Sequence, residues 1–178
     1  MSEMFLSAKR PFYQSSQIMS LPLIDVGEYE AFANKWLKLK GFEISDMDFR
    51  YLYDMVDGQT WYVQSILNRL YENGEAIDKS VIAQTVDNII HEQEDSFINY
   101  CKSLTDNQVA LLSAIAKEKG VTSALSQEFI RKYSLPAASS VSIALKALQK
   151  RDFVHEFNGK IIVYDRFFSI WLRRETEC

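Results

Sequence analysis

The pair Asn158-Gly159 near the end of the chain limits the possible folds more than any other part of the sequence. It separates two short runs rich in β-branched and aromatic residues, 153–157 and 160–164. A two-residue turn of type I′ needs positive φ at both central positions, which Asn and Gly tolerate best. The pattern therefore predicts a β-hairpin. Because an isolated hairpin is only marginally stable in water, helices must pack on it.

Three helical segments precede this hairpin. The first begins at a capping box, Thr105-Asp-Asn-Gln108, and ends at Gly120. The second is predicted over 123–133 and is ended by Leu135-Pro136. Its apolar face is expected to comprise Leu125, Phe129 and Ile130. The third covers 138–151. Three short helices followed by a hairpin predict a winged helix-turn-helix domain with a β-hairpin wing.

The segment before Thr105 is predicted to be a four-helix bundle, which makes the fold class mainly α. Its first helix starts at the N-cap Asp25, its second covers 46–56, its third starts at Thr60, and its fourth begins at Asp78. The apolar residues of the first helix are all expected to be buried: Tyr29, Phe32, Ala33, Trp36 and Leu37.

The formal net charge of −4 is unevenly distributed along the chain. Before Thr105 there are nine Lys and Arg against sixteen Asp and Glu, and from Thr105 onward there are eleven against eight. The change coincides with the start of the predicted winged helix, so we expect a domain boundary near residue 104. The basic excess is small for a domain that binds nucleic acid through phosphate contacts.

Several classes of protein are excluded by the composition. Two widely separated cysteines do not form a disulfide framework, so the cytoplasm is the expected compartment. No apolar run approaches the roughly 18 residues of a membrane span, and the N-terminus does not resemble a signal peptide. His91, His155 and Cys101 lack the spacing of metal ligands, and no metal or catalytic site is predicted.

Residues 1–24 contain one short predicted strand, 17–21, which is ended by Pro22. A single strand leaves its backbone donors and acceptors unpaired. We therefore expect this strand to be a remnant of a larger sheet, or to pair with a second copy of the chain in a strand-exchanged homo-oligomer.

The order of these parts resembles the C-terminal portion of AAA+ and STAND-type P-loop ATPases. Three motifs are similar to the archaeal-type ATPase family, which also occurs in Bacteroides-like bacteria: Lys9-Arg10-Pro11-Phe12-Tyr13, Gly58-Gln59-Thr60-Trp61-Tyr62, and Tyr164-Asp165-Arg166-Phe167-Phe168. The resemblance implies that 1–24 is a remnant of the ATPase core, 25–104 a lid-like bundle and 105–178 the winged helix. It also places Arg10 where an arginine finger would lie; the alternative is a solvated surface arginine.

The departures from that family concern the nucleotide. No Gly-x-x-x-x-Gly-Lys-[Ser/Thr] segment occurs in these 178 residues, and no strand ends in an acidic pair that would hold magnesium. Trp61 stands nearest the place of the family's phosphate-sensing lid arginine. We therefore expect this chain to be no enzyme and to bind no cofactor, with ATP and Mg bound only by an upstream ATPase core, its expected partner.

The third winged-helix helix has a solvent face that is the candidate binding surface. A step of about 100° per residue turns five side chains outward: Ser139, Ser142, Ile143, Lys146 and Lys150. Arg151 and Lys160 extend the basic part of this surface. Ser and Lys suit DNA, whereas an exposed Ile in mid-face suits a protein contact. Both ligands remain open.

The sequence thus predicts a non-catalytic regulatory or binding portion of an AAA+/STAND-like ATPase, in which a winged helix docks on protein or DNA. One alternative is a self-standing winged-helix transcription regulator whose acidic bundle dimerises or senses a signal. The other is an interaction adaptor that binds no nucleic acid.

Overall fold

The computed structural model describes residues 21–174. Arg10 and nearly all of the predicted strand 17–21 lie outside the described residues, and Leu21 carries no regular secondary structure. The first part of the chain is helical: α1 (Val26–Leu37), a 3₁₀ turn (Lys38–Lys40), α2 (Asp46–Met55), α3 (Thr60–Asn73) and α4 (Lys79–Lys102). The second part combines helices with a hairpin: α5 (Asp106–Lys117), α6 (Gln127–Lys132), α7 (Ala138–Lys150), β1 (Val154–Phe157), β2 (Lys160–Val163) and α8 (Arg166–Arg174). The predicted fold class is confirmed.

The bundle forms as predicted, with one correction on α1. Asp25 caps the helix, because its Oδ1 accepts hydrogen bonds from the N–H groups of Gly27 (2.9 Å) and Glu28 (3.2 Å). The prediction that all five apolar residues of α1 are buried is wrong for two of them, since Phe32 is 51% exposed and Trp36 49% exposed. Within residues 21–174, the bundle buries only the other three apolar residues of this helix, Tyr29, Ala33 and Leu37.

In the second part, the capping box is present: the Thr105 N–H donates to Gln108 Oε1 at 3.1 Å. The predicted start of α6 at Ser123 is wrong. The helix begins at Gln127 because Ser126 is its N-cap, with Oγ accepting from the Phe129 N–H at 3.3 Å. Leu125 therefore precedes the helix and is 43% exposed.

The hairpin has the predicted turn. Asn158 and Gly159 have φ values of 50° and 72°, and β1 pairs antiparallel with β2 from Val154↔Val163 to Phe157↔Lys160. An isolated bridge between Val121 and Ile161 joins the hairpin to the segment after α5. Its two backbone hydrogen bonds measure 2.9 and 2.8 Å.

α8 contacts both parts of the chain. The Phe168 ring lies 5.2 Å from that of Phe97 on α4, whereas the Phe167 ring lies 5.0 Å from that of Tyr62 on α3. α8 also packs on α5 and β2. The long α4 runs up to the proposed domain boundary near 104, which stays a prediction.

Candidate functional site

The solvent face of α7 carries the five side chains that the helical period predicted to lie there. α7 packs on α5 through Val141, Ala144 and Leu148, which are at most 4% exposed. On the opposite side, Ile143 is 72% exposed. Its neighbours on that face are exposed or half-buried: Ser139, Ser142, Lys146 and Lys150. One apolar side chain thus stands in the middle of a small polar and basic surface.

Lys160 opens β2 and is exposed on the wing. It borders a cleft of about 550 Å³ between the wing and α6, together with Glu118 and Lys132. Lys132 Nζ lies 2.5 Å from Glu118 Oε1, and the Tyr133 hydroxyl donates to the same oxygen at 2.7 Å. These two hydrogen bonds lower the pKa of the Glu118 carboxyl. Because the carboxylate offsets the charge of Lys132, the cleft adds little to a basic surface.

Arg151 was predicted to extend that surface, but its guanidinium is engaged elsewhere. Nη1 donates to the Ser103 carbonyl at 2.9 Å and Nη2 to the Ser103 Oγ at 2.8 Å. The same group lies 5.1 Å from the Phe153 ring centroid. Arg151 therefore ties the end of α7 to the end of α4, and its role in binding stays a prediction.

Three arginines of α8 also face the acidic bundle. Arg166 Nη1 lies 3.1 Å from Asp57 Oδ2, and Arg174 Nη2 lies 2.5 Å from Asp87 Oδ1. Burial lowers the pKa of Arg173. Part of the positive charge counted after Thr105 is thus used in contacts within the chain, and the sequence contained no signal for these pairings. The solvent-facing basic surface is smaller than the charge count suggests.

A group that we name the junction cluster lies where α8, the wing and the α2–α3 turn meet, and it comprises Asp57, Tyr62, His155, Asp165 and Arg166. Burial raises the pKa of Tyr62 to about 12, with a further contribution from the Asp165 carboxylate. Burial raises the pKa of Asp165, whose Oδ1 accepts from the Phe168 N–H at 3.0 Å and caps α8. Burial and the nearby Arg166 lower the pKa of His155.

Arg166 is the centre of this cluster and is 3% exposed. Within residues 21–174, its Nε and Nη2 have no hydrogen-bond partner, and neither has His155 Nδ1. The Arg166–Asp57 ion pair links α8 to the α2–α3 turn. In the same range there is no group of three or more His, Cys, Asp or Glu residues that could hold a metal ion.

Trp61, which stands near the place of the family's sensor arginine, belongs to the same junction. Its ring lies 4.8 Å from that of Tyr62 and 6.2 Å from that of Phe167, and the residue is 65% exposed. An indole packed on α8 carries no positive charge for a phosphate. The structure thus gives this position a packing role between the bundle and α8.

Comparison with known proteins agrees with this architecture. The family model described as a probable winged helix domain matches residues 95–174. The three helices from α5 to α7 and the hairpin that follows them have the winged-helix architecture that this model describes. No curated protein matches the chain.

A solved structure extends the likeness beyond the winged helix. The chain resembles a Walker-type ATPase of Pyrococcus abyssi with a TM-score of 0.63 and 16% sequence identity. The superposition covers 93% of this chain and 47% of the ATPase chain, so the present chain spans about half the length of that protein. At this identity the likeness concerns the fold. None of the described helices is long and apolar enough to cross a membrane.

Proposed function

We propose that this chain is a non-catalytic C-terminal regulatory portion of an AAA+/STAND-like ATPase, in which the bundle is the lid and the winged helix is a docking domain. The match to about half of a Walker-type ATPase supports this proposal. The absence of a phosphate-binding Gly-rich segment from these 178 residues agrees with a non-catalytic role. The nucleotide and magnesium would be bound by an ATPase core outside this chain, which is the first expected partner.

We further propose that the winged helix docks on a protein through the α7 face. The observation that carries this proposal is the exposure of Ile143, 72%, in the middle of that face. Covering this aliphatic side chain with a protein surface removes it from water, whereas a DNA groove offers apolar contact only at thymine methyl groups. DNA is the second candidate, because Lys146, Lys150 and Lys160 are exposed and could contact phosphates.

The affinity for DNA and the affinity for a protein should be lowered by different substitutions in α7. If α7 binds duplex DNA, Lys146→Ala/Lys150→Ala flattens the log–log dependence of affinity on salt by roughly one unit for each phosphate that the variant no longer neutralises. If α7 binds a protein, Ile143→Ser costs on the order of 1–2 kcal/mol, about tenfold in affinity, with little response to salt.

Duplex-DNA binding of the wild type and both variants, measured across a salt series, separates these cases. We expect no DNA binding by the wild type at about 50 mM salt, because few basic side chains near α7 are free of intramolecular partners. Saturable DNA binding that the double lysine variant weakens and Ile143→Ser does not would overturn the protein proposal.

The ATPase part of the proposal has its own tests. We expect an in-frame phosphate-binding loop in the coding sequence upstream of Met1. We also expect calorimetric titration of this chain with magnesium-ATP to give no micromolar affinity. Micromolar binding by the chain alone would contradict the assignment of the nucleotide to a separate core.

A further inference from the structure

Helix α1 carries two neighbouring apolar stripes, of which only one is covered. Tyr29, Ala33 and Leu37 are at most 4% exposed and pack in the bundle core. Phe32, Trp36 and, in the 3₁₀ turn, Leu39 follow at i, i+4 and i+7 and are 51%, 49% and 72% exposed. A surface helix usually has one apolar stripe that faces the core. The second stripe of α1 has the spacing of a binding surface, with nothing among residues 21–174 covering it.

This stripe forms one wall of a groove between α1 and α3. The groove has a volume of about 390 Å³. Its α1 wall includes Phe32 and Trp36, and its α3 wall includes Leu67 and Tyr71. The two helices run parallel: the Tyr29 hydroxyl donates to the Thr60 carbonyl at 3.2 Å at one end, and Lys40 Nζ donates to the Tyr71 carbonyl at 3.3 Å at the other.

Two lysines lie beside aromatic residues of the groove, near the end where α1 terminates. Lys40 Nζ lies 4.1 Å from the Tyr71 ring centroid, and Lys35 Nζ lies 6.0 Å from that of Trp36. Neither lysine has a carboxylate partner within residues 21–174, whereas the neighbouring Lys38 is paired with Glu43 at 2.8 Å. Two ammonium groups thus border aromatic groove residues without an ion-pair partner among residues 21–174. A ligand that brings carboxylates to this end gains from both charges.

We propose that the groove between α1 and α3 binds an amphipathic helix of a partner protein, with its apolar face on Phe32 and Trp36 and its carboxylates at Lys35 and Lys40. A helix laid in a groove places apolar anchors at i, i+3 or i+4, and i+7. The stripe from Phe32 to Leu39 covers seven residue steps, about 10 Å at 1.5 Å per residue, which is two turns of such a helix. This site is separate from the Ile143 face of α7 and goes beyond the function proposed above.

The test uses the full chain and two synthetic helical peptides of the same length and the same leucine positions, one flanked by glutamates and the other by lysines. Binding is followed by fluorescence anisotropy of a label on each peptide. We expect saturable binding of the glutamate peptide, at least about tenfold tighter than that of the lysine peptide. Phe32→Ser/Trp36→Ser should reduce the affinity about tenfold or more. Lys35→Glu/Lys40→Glu should reverse the preference between the peptides.

Two controls keep the outcome clear. Ile143→Ser should bind the glutamate peptide like the wild type, so failure at the groove is distinguishable from failure of the α7 proposal. If the double serine variant does not fold, the charge-reversed variant, altered only at exposed lysines, still tests the site. Equal binding of both peptides, no saturable binding, or unchanged affinity in the variants would overturn the proposal. A homodimer that dissociates on Phe32→Ser/Trp36→Ser would also overturn it, because a second copy would then occupy the groove.

Discussion

Replacing Asp57 with Asn removes the carboxylate that faces the Arg166 guanidinium and leaves the rest of the junction cluster in place. The change is nearly isosteric, and Asn tolerates the positive φ of 52° at this position. The two partners differ in burial, since the side chain of Arg166 is 4% exposed and that of Asp57 40%. Removing Asp57 and removing Arg166 should therefore change the free energy of unfolding by different amounts.

The expected cost follows from that difference. Asp57→Asn removes the ion-pair partner of a buried cation, a change that costs roughly 3–5 kcal/mol at a fully buried pair. Because water reaches the Asp57 side of this pair, we expect a loss of about 2–3 kcal/mol in the free energy of unfolding. Arg166→Met removes the buried charge together with its two unpartnered nitrogen atoms and leaves a carboxylate that water can hydrate. We expect this variant to lie within about 1 kcal/mol of the wild type.

Urea unfolding, followed by both tryptophan fluorescence and circular dichroism, measures these differences. At an unchanged m-value, Asp57→Asn should lower the midpoint by about 1 M. The double variant Asp57→Asn/Arg166→Met should be close to Arg166→Met alone, so the second substitution rescues the first. If Arg166→Met destabilises the chain as much as Asp57→Asn, or if the two losses add, the buried-charge argument is wrong.

Two further predictions concern the same region. Gly58 has φ +65° and a Cβ there would collide with the Tyr53 ring, whereas Gly159 has φ +72° and open space. We therefore expect Gly58→Ala to cost about 2–4 kcal/mol in the free energy of unfolding and Gly159→Ala about 1 kcal/mol, and equal losses would contradict this reading. The pKa of His155 is lowered in the folded chain. The contribution of the neutral, buried imidazole to the free energy of unfolding is therefore complete above about pH 6.5, and it is lost as the pH falls through the pKa of the folded state. Urea unfolding measured at several pH values between about 7 and 5 should show this loss of stability in the wild type and in His91→Gln, but not in His155→Gln.

Much of the fold was predictable because it depends on local interactions. The capping box at Thr105, the N-cap at Asp25 and the Asn158-Gly159 turn each involve residues within a few positions of one another. Their hydrogen bonds and backbone preferences operate wherever the segment lies in space. The start of α6 was missed because two serines compete as its N-cap, and only Ser126 Oγ accepts the Phe129 amide.

The candidate site was predictable only in part. The helical period placed Ile143 and Lys146 on the solvent face of α7, because that face depends on the helix alone. The engagement of Arg151 by Ser103 depends on a partner 48 residues away in sequence. Charge along the sequence could not show which arginines remain available for a ligand.

Periodicity, capping and turn chemistry in the sequence are enough to predict the helices, the hairpin, their order and the winged helix. Which apolar residues of α1 are covered, and which basic residues are paired, depends on the packing of segments that are distant in the sequence. Phe32 and Leu37 are equally apolar in the sequence, yet one is half exposed and the other is 2% exposed, because burial depends on which neighbour meets each face. Packing between distant segments determines which side chains are covered, and both the groove between α1 and α3 and the junction cluster result from it.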